Sequence, residues 1–197
     1  MRITNVEAIP FRLPVRREFR WAGLHADLGS FVLVRIRTDS GLVGLGEATP
    51  LPDWGGDFGR RAGETQETVV SMVTKILAPV LVGRDPASVE LLLADMDHVL
   101  LGHSYAKAAI DIALHDLWAK TMRQPLYAIL GGAVRPAVPL AHMIGLMPDQ
   151  EAMAEGAGAV ADGISTLQVK GGEDPERDIR VLTSLRERLG PAVMLRL

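Results

Sequence analysis

Residues 166–197, TLQVKGGEDPERDIRVLTSLRERLGPAVMLRL, contain the pattern that decides the fold. Thr166–Lys170 predicts a strand, Pro175–Leu189 a helix and Ala192–Leu197 a second strand. Strands that are joined by a crossover helix run parallel in one sheet, because the helix returns the chain to the end where the first strand began. The stretch is therefore interpreted as a βαβ unit.

The residues before this stretch continue the same alternation. Val138–Ile144 predicts a strand, and Asp149–Gly163 predicts a helix with Asp149 as its candidate N-cap residue. This order is the beginning of a parallel α/β domain, and its boundary with the preceding domain is expected near Ala133–Val138. A (β/α)₈ barrel needs eight strands and typically ~250 residues. Residues 134–197 are thus interpreted as a barrel that is incomplete after its third strand, whose edge would remain unpaired.

Residues 1–133 follow a different order, with strands first and helices afterwards. The predicted strands and helices are Val6–Leu13, Phe31–Arg37, Leu42–Glu47, Glu64–Leu81, a helix that starts at Asp85–Ser88, and Ser104–Met122. Such segregation is typical of an α+β domain. Two long irregular segments, Arg16–Gly29 and Thr49–Gly63, interrupt it, and loops of this length in a compact domain are usually lids or binding loops.

The composition excludes several classes of protein. With 48% hydrophobic and 23% charged residues the chain is globular, and its net charge of −3 argues against nucleic acid or an anionic membrane as a partner. The absence of cysteine excludes disulfides, thiolate chemistry and cysteine-ligated metals. No secretory signal is recognisable, and no apolar stretch approaches the ~20 residues of a membrane span, so a cytoplasmic location is expected.

Lys170 is the strongest candidate for a chemical role. The two-residue period of a strand places Gln168 and Lys170 on one side, with Lys170 at the C-terminal end. Active sites of parallel α/β domains form at that end, and Gly171 and Gly172 leave room there for a ligand. A lysine that is desolvated, or that lies near a metal ion, loses its proton more readily and can act as a base. The alternative is a lysine at a strand end that points into water.

A second group of titratable residues lies in and before the long helix. Asp111 and His115 are four residues apart, as are Asp116 and Lys120, so each pair can interact along one helix face. The helix is otherwise apolar, which favours structural polar links to the barrel or to neighbouring helices over catalysis. His103 precedes the helix and is expected to order its cap rather than bind metal, since no spacing of the HExxH type occurs.

Several motifs together resemble one known family. They are Gly41–Glu47 (GLVGLGE), Gly102–Lys120 (GHSYAKAAIDIALHDLWAK), Gln124–Gly132 (QPLYAILGG) and Leu167–Lys170 (LQVK). In sequence and order they are similar to the enolase superfamily, and more narrowly to its mandelate racemase and muconate-lactonizing group. The resemblance covers the whole chain. It implies an α+β N-terminal capping domain, residues 1–133, followed by the first three strands of a TIM-type barrel, residues 134–197.

The resemblance also implies a reaction. Members of the family remove the proton α to a carboxylate, and a Mg²⁺ ion stabilises the enediolate that forms. Lys170 falls on the second lysine of the family's Lys-x-Lys motif, which is the base on one face of the substrate. The opposing base belongs to a later barrel strand.

The two irregular segments would be the loops that close over the substrate. On this reading Trp21 and His25 in the first segment, and Trp54 in the second, are candidate substrate contacts. The alternative is that the tryptophans only pack the loops.

The chain departs from the family pattern at two points. Gln168 stands where the first lysine of the motif often stands, so a neutral amide would contact the substrate, which suits an amino-acid or betaine-like molecule. The family's Mg²⁺ ligands lie at the ends of the third to fifth barrel strands. They are therefore expected just beyond Leu197, and no metal ligand is predicted within the chain.

Two functions remain open at this point. The resemblance implies a Mg²⁺-dependent racemase, epimerase, dehydratase or cycloisomerase of a small carboxylate, present here as a fragment, with a homo-oligomer as its assembly. The alternative is a non-catalytic module of cap and partial barrel that acts through assembly with another chain.

Overall fold

The computed structural model describes residues 1–17, 19–22, 28–52 and 63–197. These residues form two compact units. The first contains the described residues within 1–15 and 26–134, and the second those within 16–25 and 135–197. Residues 16, 17 and 19–22 therefore group with the second unit, although most of the first unit follows them in the chain. No helix in the described ranges is long and apolar enough to cross a membrane.

An antiparallel sheet with the order β1-β2-β3 opens the first unit. Its strands are β1 (Ile3–Arg12), β2 (Ser30–Thr38) and β3 (Val43–Ala48). The three predicted strands are thus confirmed, with shifted ends. The two-residue period of β2 buries Val32, Val34 and Ile36 completely, and this face forms a common core with the helices of the unit.

The helices of the first unit follow the sheet in the chain. They are α1 (Gln66–Met72), α2 (Ala78–Leu81), α3 (Val89–Val99), α4 (Ser104–Met122) and α5 (Leu126–Ile129). The prediction of one helix over 64–81 is wrong in one respect, because a π-helical turn at Val73–Leu77 separates α1 from α2. The Ala78 N–H bonds to the Val73 carbonyl, five residues back. Pro79 comes next, and a proline has no N–H and a ring that clashes with the regular α-helical path.

The start of α3 also differs from the prediction. Asp85–Ser88 forms a turn before the helix rather than its first residues, and the Asp85 carboxylate accepts a hydrogen bond from the Ala87 N–H at 3.1 Å. An aspartate that bonds its own backbone two residues on stabilises a turn in competition with a helix. Pro86 therefore lies outside α3.

Helix α4 has the predicted bounds and lies directly on β3. A Cβ atom on Gly46 would be 1.9 Å from the Ala109 carbonyl oxygen, and a Cβ atom on Gly44 would be 2.2 Å from the Ala113 carbonyl oxygen. Only glycine permits so close an approach of two backbones. The glycines of the GLVGLGE motif are thus explained by contact between a strand and a helix.

Asp116 and Lys120 on α4 form the structural polar link that the sequence predicts, but its partner is β3 rather than the barrel or another helix. The Asp116 carboxylate accepts hydrogen bonds from the Leu45 N–H at 2.9 Å and from the Lys120 ammonium at 2.6 Å. Lys120 also donates to the Val43 carbonyl at 2.7 Å. The pair therefore satisfies backbone groups of β3.

A parallel sheet with the order β4-β5-β6 forms the second unit together with two helices. The elements are β4 (Ala141–Ile144), α6 (Asp149–Ala161), β5 (Thr166–Val169), α7 (Pro175–Leu189) and β6 (Met194–Arg196). The predicted strand–helix–strand–helix–strand order is confirmed, with shorter strands. Ile144, Leu167 and Leu185 are fully buried in the core that the sheet shares with α6 and α7.

The predicted N-cap role of Asp149 is wrong. Pro148 is the N-cap residue of α6, and Asp149 is the first residue of the helix. Its carboxylate instead faces α7, where Arg180 Nε lies 3.3 Å from Asp149 Oδ2. A negative charge in the first turn still interacts favourably with the helix dipole.

Two glycines of α6 provide a matched test of packing in the second unit. A Cβ atom on buried Gly156 would lie 2.7 Å from Leu185 Cδ2, whereas a Cβ atom on exposed Gly158 would contact nothing within 4 Å. Gly156→Ala should lower the free energy of unfolding by about 1–3 kcal/mol, because fully buried Leu185 has little room to move. Gly158→Ala should raise it by up to about 1 kcal/mol, because alanine is the better helix former. Urea denaturation followed by circular dichroism measures both, and equal signs would contradict this packing.

Candidate active site

Lys170 lies immediately after β5, the middle strand of the parallel sheet. Its N–H donates to the Ile144 carbonyl at the end of β4, at 2.9 Å. Leu167 and Val169 are buried toward the helices, whereas Gln168 and Lys170 are half-buried on the opposite face. The structure thus brings Gln168 and Lys170 together on the face that becomes the interior when such a sheet closes into a barrel.

The strand register defines which residues are neighbours of Lys170. Met143 on β4 and Arg196 on β6 are both paired with Gln168. Two residues further along each strand, Gly145 lies beside Lys170 on one side. On the other side β6 is paired with β5 as far as Arg196, which lies opposite Gln168.

Residues 19–22 lie at this same end of the sheet. Gly145 is buried, and a Cβ atom on it would be 3.1 Å from the Arg20 carbonyl oxygen. The Arg20 carbonyl accepts a hydrogen bond from the Leu146 N–H at 2.8 Å. A Cβ atom on Gly172 would be 3.9 Å from Ala22 Cβ. The glycines after β4 and β5 therefore allow this segment to approach the C-terminal ends of both strands.

The three aromatic candidates have different outcomes. Trp21 is half-buried in this segment, and its ring packs against Phe19 with centroids 5.9 Å apart and an interplanar angle of 58°. The structure therefore places Trp21 at the same end of the sheet as Lys170. His25 and Trp54 lie outside the described residues.

Clefts open at this end of the second unit between residues that the structure describes. One, of about 590 Å³, is lined by Gln168–Gly172 at the end of β5, by Leu197, and by α7 residues that include Ile179 and Leu182. Another, of about 510 Å³, lies between Arg17 and Arg20 on one side and the starts of α6 and α7 on the other. Arg17 lines this second cleft. One of its guanidinium nitrogens donates to Glu155 Oε2 at 2.7 Å, and the other donates to the Met143 carbonyl at 3.1 Å.

Arg177 and Asp178 hold the turn that follows Lys170. Arg177 donates to the Lys170 carbonyl at 3.1 Å, and the Asp178 carboxylate accepts from the Gly172 N–H at 2.7 Å. The sequence does not predict this pair, because charged residues in the first turn of a helix normally face water, and an aspartate there is already explained by its favourable interaction with the helix dipole. The only signal available is the position of the charges, directly after a strand end with two glycines.

The remaining titratable candidates serve the first unit. His103 is the N-cap residue of α4 in a left-handed conformation (φ 53°), but it makes no side-chain cap bond. The cap is Glu64, a buried carboxylate that accepts hydrogen bonds from the N–H groups of Tyr105 at 2.6 Å and Ala106 at 3.3 Å. Burial, and to a lesser extent the Glu64 charge, raise the pKa of the Tyr105 phenol. His115 Nδ1 lies 2.8 Å from Asp111 Oδ1, and its hydrogen-bond partner is the Asp111 carbonyl at 3.0 Å.

Metal ligands are not clustered in the described part of the chain. Among these residues no group of three or more His, Cys, Asp or Glu side chains could hold a metal ion. Mg²⁺ prefers carboxylate and water oxygens in octahedral geometry. The described residues alone therefore do not fit a Mg²⁺ site.

Comparisons with known proteins agree with one another. Residues 7–131 match the family model described as the mandelate racemase / muconate lactonizing enzyme, N-terminal domain. The N-succinyl-L-Arg/Lys racemase of Bacillus cereus is 30% identical over 197 residues, which are 100% of this chain and 51% of that protein. Its crystal structure superimposes with a TM-score of 0.90 at 28% identity, again over 100% of this chain and 51% of the racemase.

Two epimerases give the same result. The L-Ala-D/L-Glu epimerase of Bacillus subtilis is 34% identical over 198 residues, which are 100% of this chain and 52% of the epimerase. A dipeptide epimerase from Cytophaga hutchinsonii, crystallised with Mg and the dipeptide D-Ala-L-Val, has a TM-score of 0.87 at 29% identity and covers 100% of this chain and 51% of its own. The chain thus spans about half the length of the curated relatives that it matches.

Proposed function

Because the chain belongs to the mandelate racemase and muconate lactonizing enzyme group of the enolase superfamily, we propose that it is the front half of an enzyme that removes the proton α to a carboxylate, with Lys170 as a base. Its fold is the α+β capping domain of that group followed by the first three strands of a TIM-type barrel. We place the boundary between residues 133 and 134. The observation that carries the proposal is Lys170 at the C-terminal end of the middle parallel strand, followed by two glycines.

The proposed step needs a neutral amine next to the substrate. The Cα–H bond of the substrate breaks, its proton binds to Lys170 Nζ, and the electron pair moves into the adjacent carboxylate. The glycine turn after Lys170 and the cleft of about 590 Å³ support this role, because they leave space for a substrate at the strand end. Return of the proton from the opposite face would invert the α-carbon.

Mg²⁺ is the proposed cofactor. Bound by carboxylates, it would supply positive charge for the negative charge that develops on the substrate. The dipeptide epimerase of Cytophaga hutchinsonii, which was crystallised with Mg, supports this cofactor. We expect the ligands just beyond Leu197, as the resemblance implies.

Gln168, Trp21, His25 and Trp54 are the proposed substrate contacts. Gln168 lies one inward-facing position before Lys170, and its side-chain amide can both donate and accept a hydrogen bond. Such a group suits a substrate that carries an amide as well as a carboxylate, such as an N-acylated amino acid or a dipeptide. The names of the racemase and the epimerases above, which refer to N-succinyl-Arg/Lys and to dipeptides, support this choice.

The test is exchange of the substrate's α-proton with solvent. In D₂O with Mg²⁺, the full-length protein should incorporate one deuterium into a substrate drawn from N-succinyl-amino acids and L-Ala dipeptides, as read by mass spectrometry. A chelator should abolish the exchange, and re-added Mg²⁺ should restore it. Failure of every carboxylate in the panel would count against the proposal.

The non-catalytic module is the second candidate, because the described residues alone do not fit a Mg²⁺ site. The intact mass of the protein isolated from its natural cells separates the two. A mass near twice that of the 197-residue chain supports the enzyme, and the mass of this chain alone supports the module. A cytoplasmic location and a homo-oligomeric assembly belong to the proposed enzyme.

A further inference from the structure

We propose that Arg177 and Asp178, at the start of α7, form a clamp that fixes the turn after Lys170 and so positions its amine. Both are positioning residues rather than catalytic ones, since they act on the backbone of Lys170–Gly172. The inference rests on the proposed function of Lys170.

Arg177 holds the carbonyl side of the turn. Its side chain is only 12% exposed, and Nη1 donates both to the Lys170 carbonyl at 3.1 Å and to Asp178 Oδ1 at 3.1 Å. Nη2 donates to the Met147 carbonyl, in the segment that follows β4, at 2.9 Å. One guanidinium group thus ties the end of β5 to the segment after β4.

Asp178 holds the amide side of the turn. Its side chain is 7% exposed, and Oδ2 accepts a hydrogen bond from the Gly172 N–H at 2.7 Å. A Cβ atom on Gly171 would be closest to the same carboxylate, 2.6 Å from Asp178 Cγ. Gly171 is therefore required by the carboxylate packed against it, and not only by the bend of the chain.

The helix itself does not need the Asp178 carboxylate. Asp174 is the N-cap residue of α7, and its Oδ1 accepts from the N–H groups of Glu176 at 3.0 Å and Arg177 at 3.2 Å. One Asp178 oxygen instead accepts from the Gly172 N–H, outside the helix, and the other accepts from the Arg177 guanidinium, which in turn donates to the Lys170 carbonyl. Asp174 therefore caps α7, and Asp178 holds the turn after β5.

Buried ion pairs are seldom explained by stability, because the cost of removing both charges from water often exceeds their attraction. Positioning is a better explanation here. The Lys170 N–H is held by Ile144 at 2.9 Å and its carbonyl by Arg177 at 3.1 Å, so the backbone of Lys170 is fixed on both sides. A base must reach its proton within hydrogen-bond distance, and a displacement of about 1 Å can lower a rate ~10²-fold.

The first test uses the two faces of the substrate. The probes are N-succinyl-L-arginine and N-succinyl-D-arginine, and L-Ala-L-Glu and L-Ala-D-Glu. The α-proton of each L-form lies on one face of the substrate and that of each D-form on the other, so α-proton exchange in D₂O with the full-length enzyme measures the two faces separately. Asp178→Asn keeps the shape of the side chain but removes its charge, and Arg177→Lys removes the fork of the guanidinium. Both variants should lower kcat for exchange on the Lys170 face by ~10–100-fold while KM and exchange on the other face change less than about threefold.

Arg186→Lys is the matched control. Arg186 lies on the same helix and donates to two carbonyls, Gly190 at 2.7 Å and Val193 at 2.8 Å, but these precede β6 rather than follow β5. This variant should affect the two faces equally. Equal losses on both faces in the Asp178 and Arg177 variants would overturn the clamp and leave the proposed function intact. Unchanged exchange in Lys170→Ala would instead overturn the proposed function.

A second measurement needs no substrate. Hydrogen–deuterium exchange of the backbone over residues 170–174 should become at least about tenfold faster in Asp178→Ala, because the Gly172 N–H loses its acceptor. The same residues should be unchanged in Arg186→Lys. Unchanged protection in Asp178→Ala would show that the carboxylate does not hold the turn and would overturn the inference.

Discussion

Lys170→Ala should lower the rate of α-proton exchange on its face of the substrate by at least ~10²–10⁴-fold, the range that a positioned general base contributes. The side chain extends from the end of β5 and makes no hydrogen bond within the described residues, while its backbone is held by Ile144 and Arg177. Its removal should therefore leave the fold and the unfolding midpoint nearly unchanged. Deuterium incorporation in D₂O, measured by mass spectrometry, provides the rate.

Lys170→Arg tests whether Lys170 is needed as a base or only as a positive charge. An arginine keeps the positive charge but does not lose its proton in proteins, so it cannot accept the proton of the substrate. It should be as inactive as Lys170→Ala. Lys120→Ala serves as the matched control, because that lysine bonds the Val43 carbonyl of the first unit and should not affect exchange. Exchange that survives in both Lys170 variants would remove this residue from the reaction.

Gly46→Ala should have the largest effect on folding, a loss of about 3 kcal/mol or more, at the upper end of the range for overpacking. Its Cβ atom would lie 1.9 Å from the Ala109 carbonyl oxygen, 2.9 Å from the Ala113 nitrogen and 3.0 Å from the Ala109 carbonyl carbon. All three are backbone atoms of α4. The helix would have to move away from β3 as a body, which would also open the fully buried contacts of Ile110 and Leu114.

Urea denaturation of the 197-residue chain measures this loss. Leu45→Ala is the control, because Leu45 lies between the two glycines but is 43% exposed, so its truncation should cost less than about 1 kcal/mol. A chain with Gly46→Ala that is as stable as the Leu45 variant would contradict the close backbone contact of β3 with α4. Loss of soluble protein for Gly46→Ala alone would agree with it.

Much of the secondary structure is predictable from local pattern. The bounds of α4 and α7 agree with the prediction, because apolar periodicity and capping residues define a helix within a few residues of sequence. The π-helical interruption between α1 and α2 is harder to predict from the sequence. It depends on how the chain accommodates the exposed Pro79 next to buried Leu77 and Ala78, and a pattern of apolar residues does not describe this.

In the candidate site, too, some features are predictable from local sequence and others are not. Lys170 can be found from the strand, the two glycines and the family motif, all of which are local. The contact of Arg20 with Leu146 and Gly145 cannot, since these residues are more than a hundred positions apart in the chain. Nothing in the local pattern of residues 16–22 indicates that they join the second unit.

The sequence alone was sufficient for the family, for the order of strands and helices, and for one lysine at the end of a parallel strand, because each of these depends on neighbours along the chain. The folded chain was needed to show that Glu64 caps α4 and that the backbone of α4 packs directly against Gly46. It was also needed to show that Arg177 and Asp178 hold the turn after Lys170. A buried carboxylate or guanidinium gains its role from the partners that replace water around it. Those partners come from other elements, and their positions are defined only when the chain has folded.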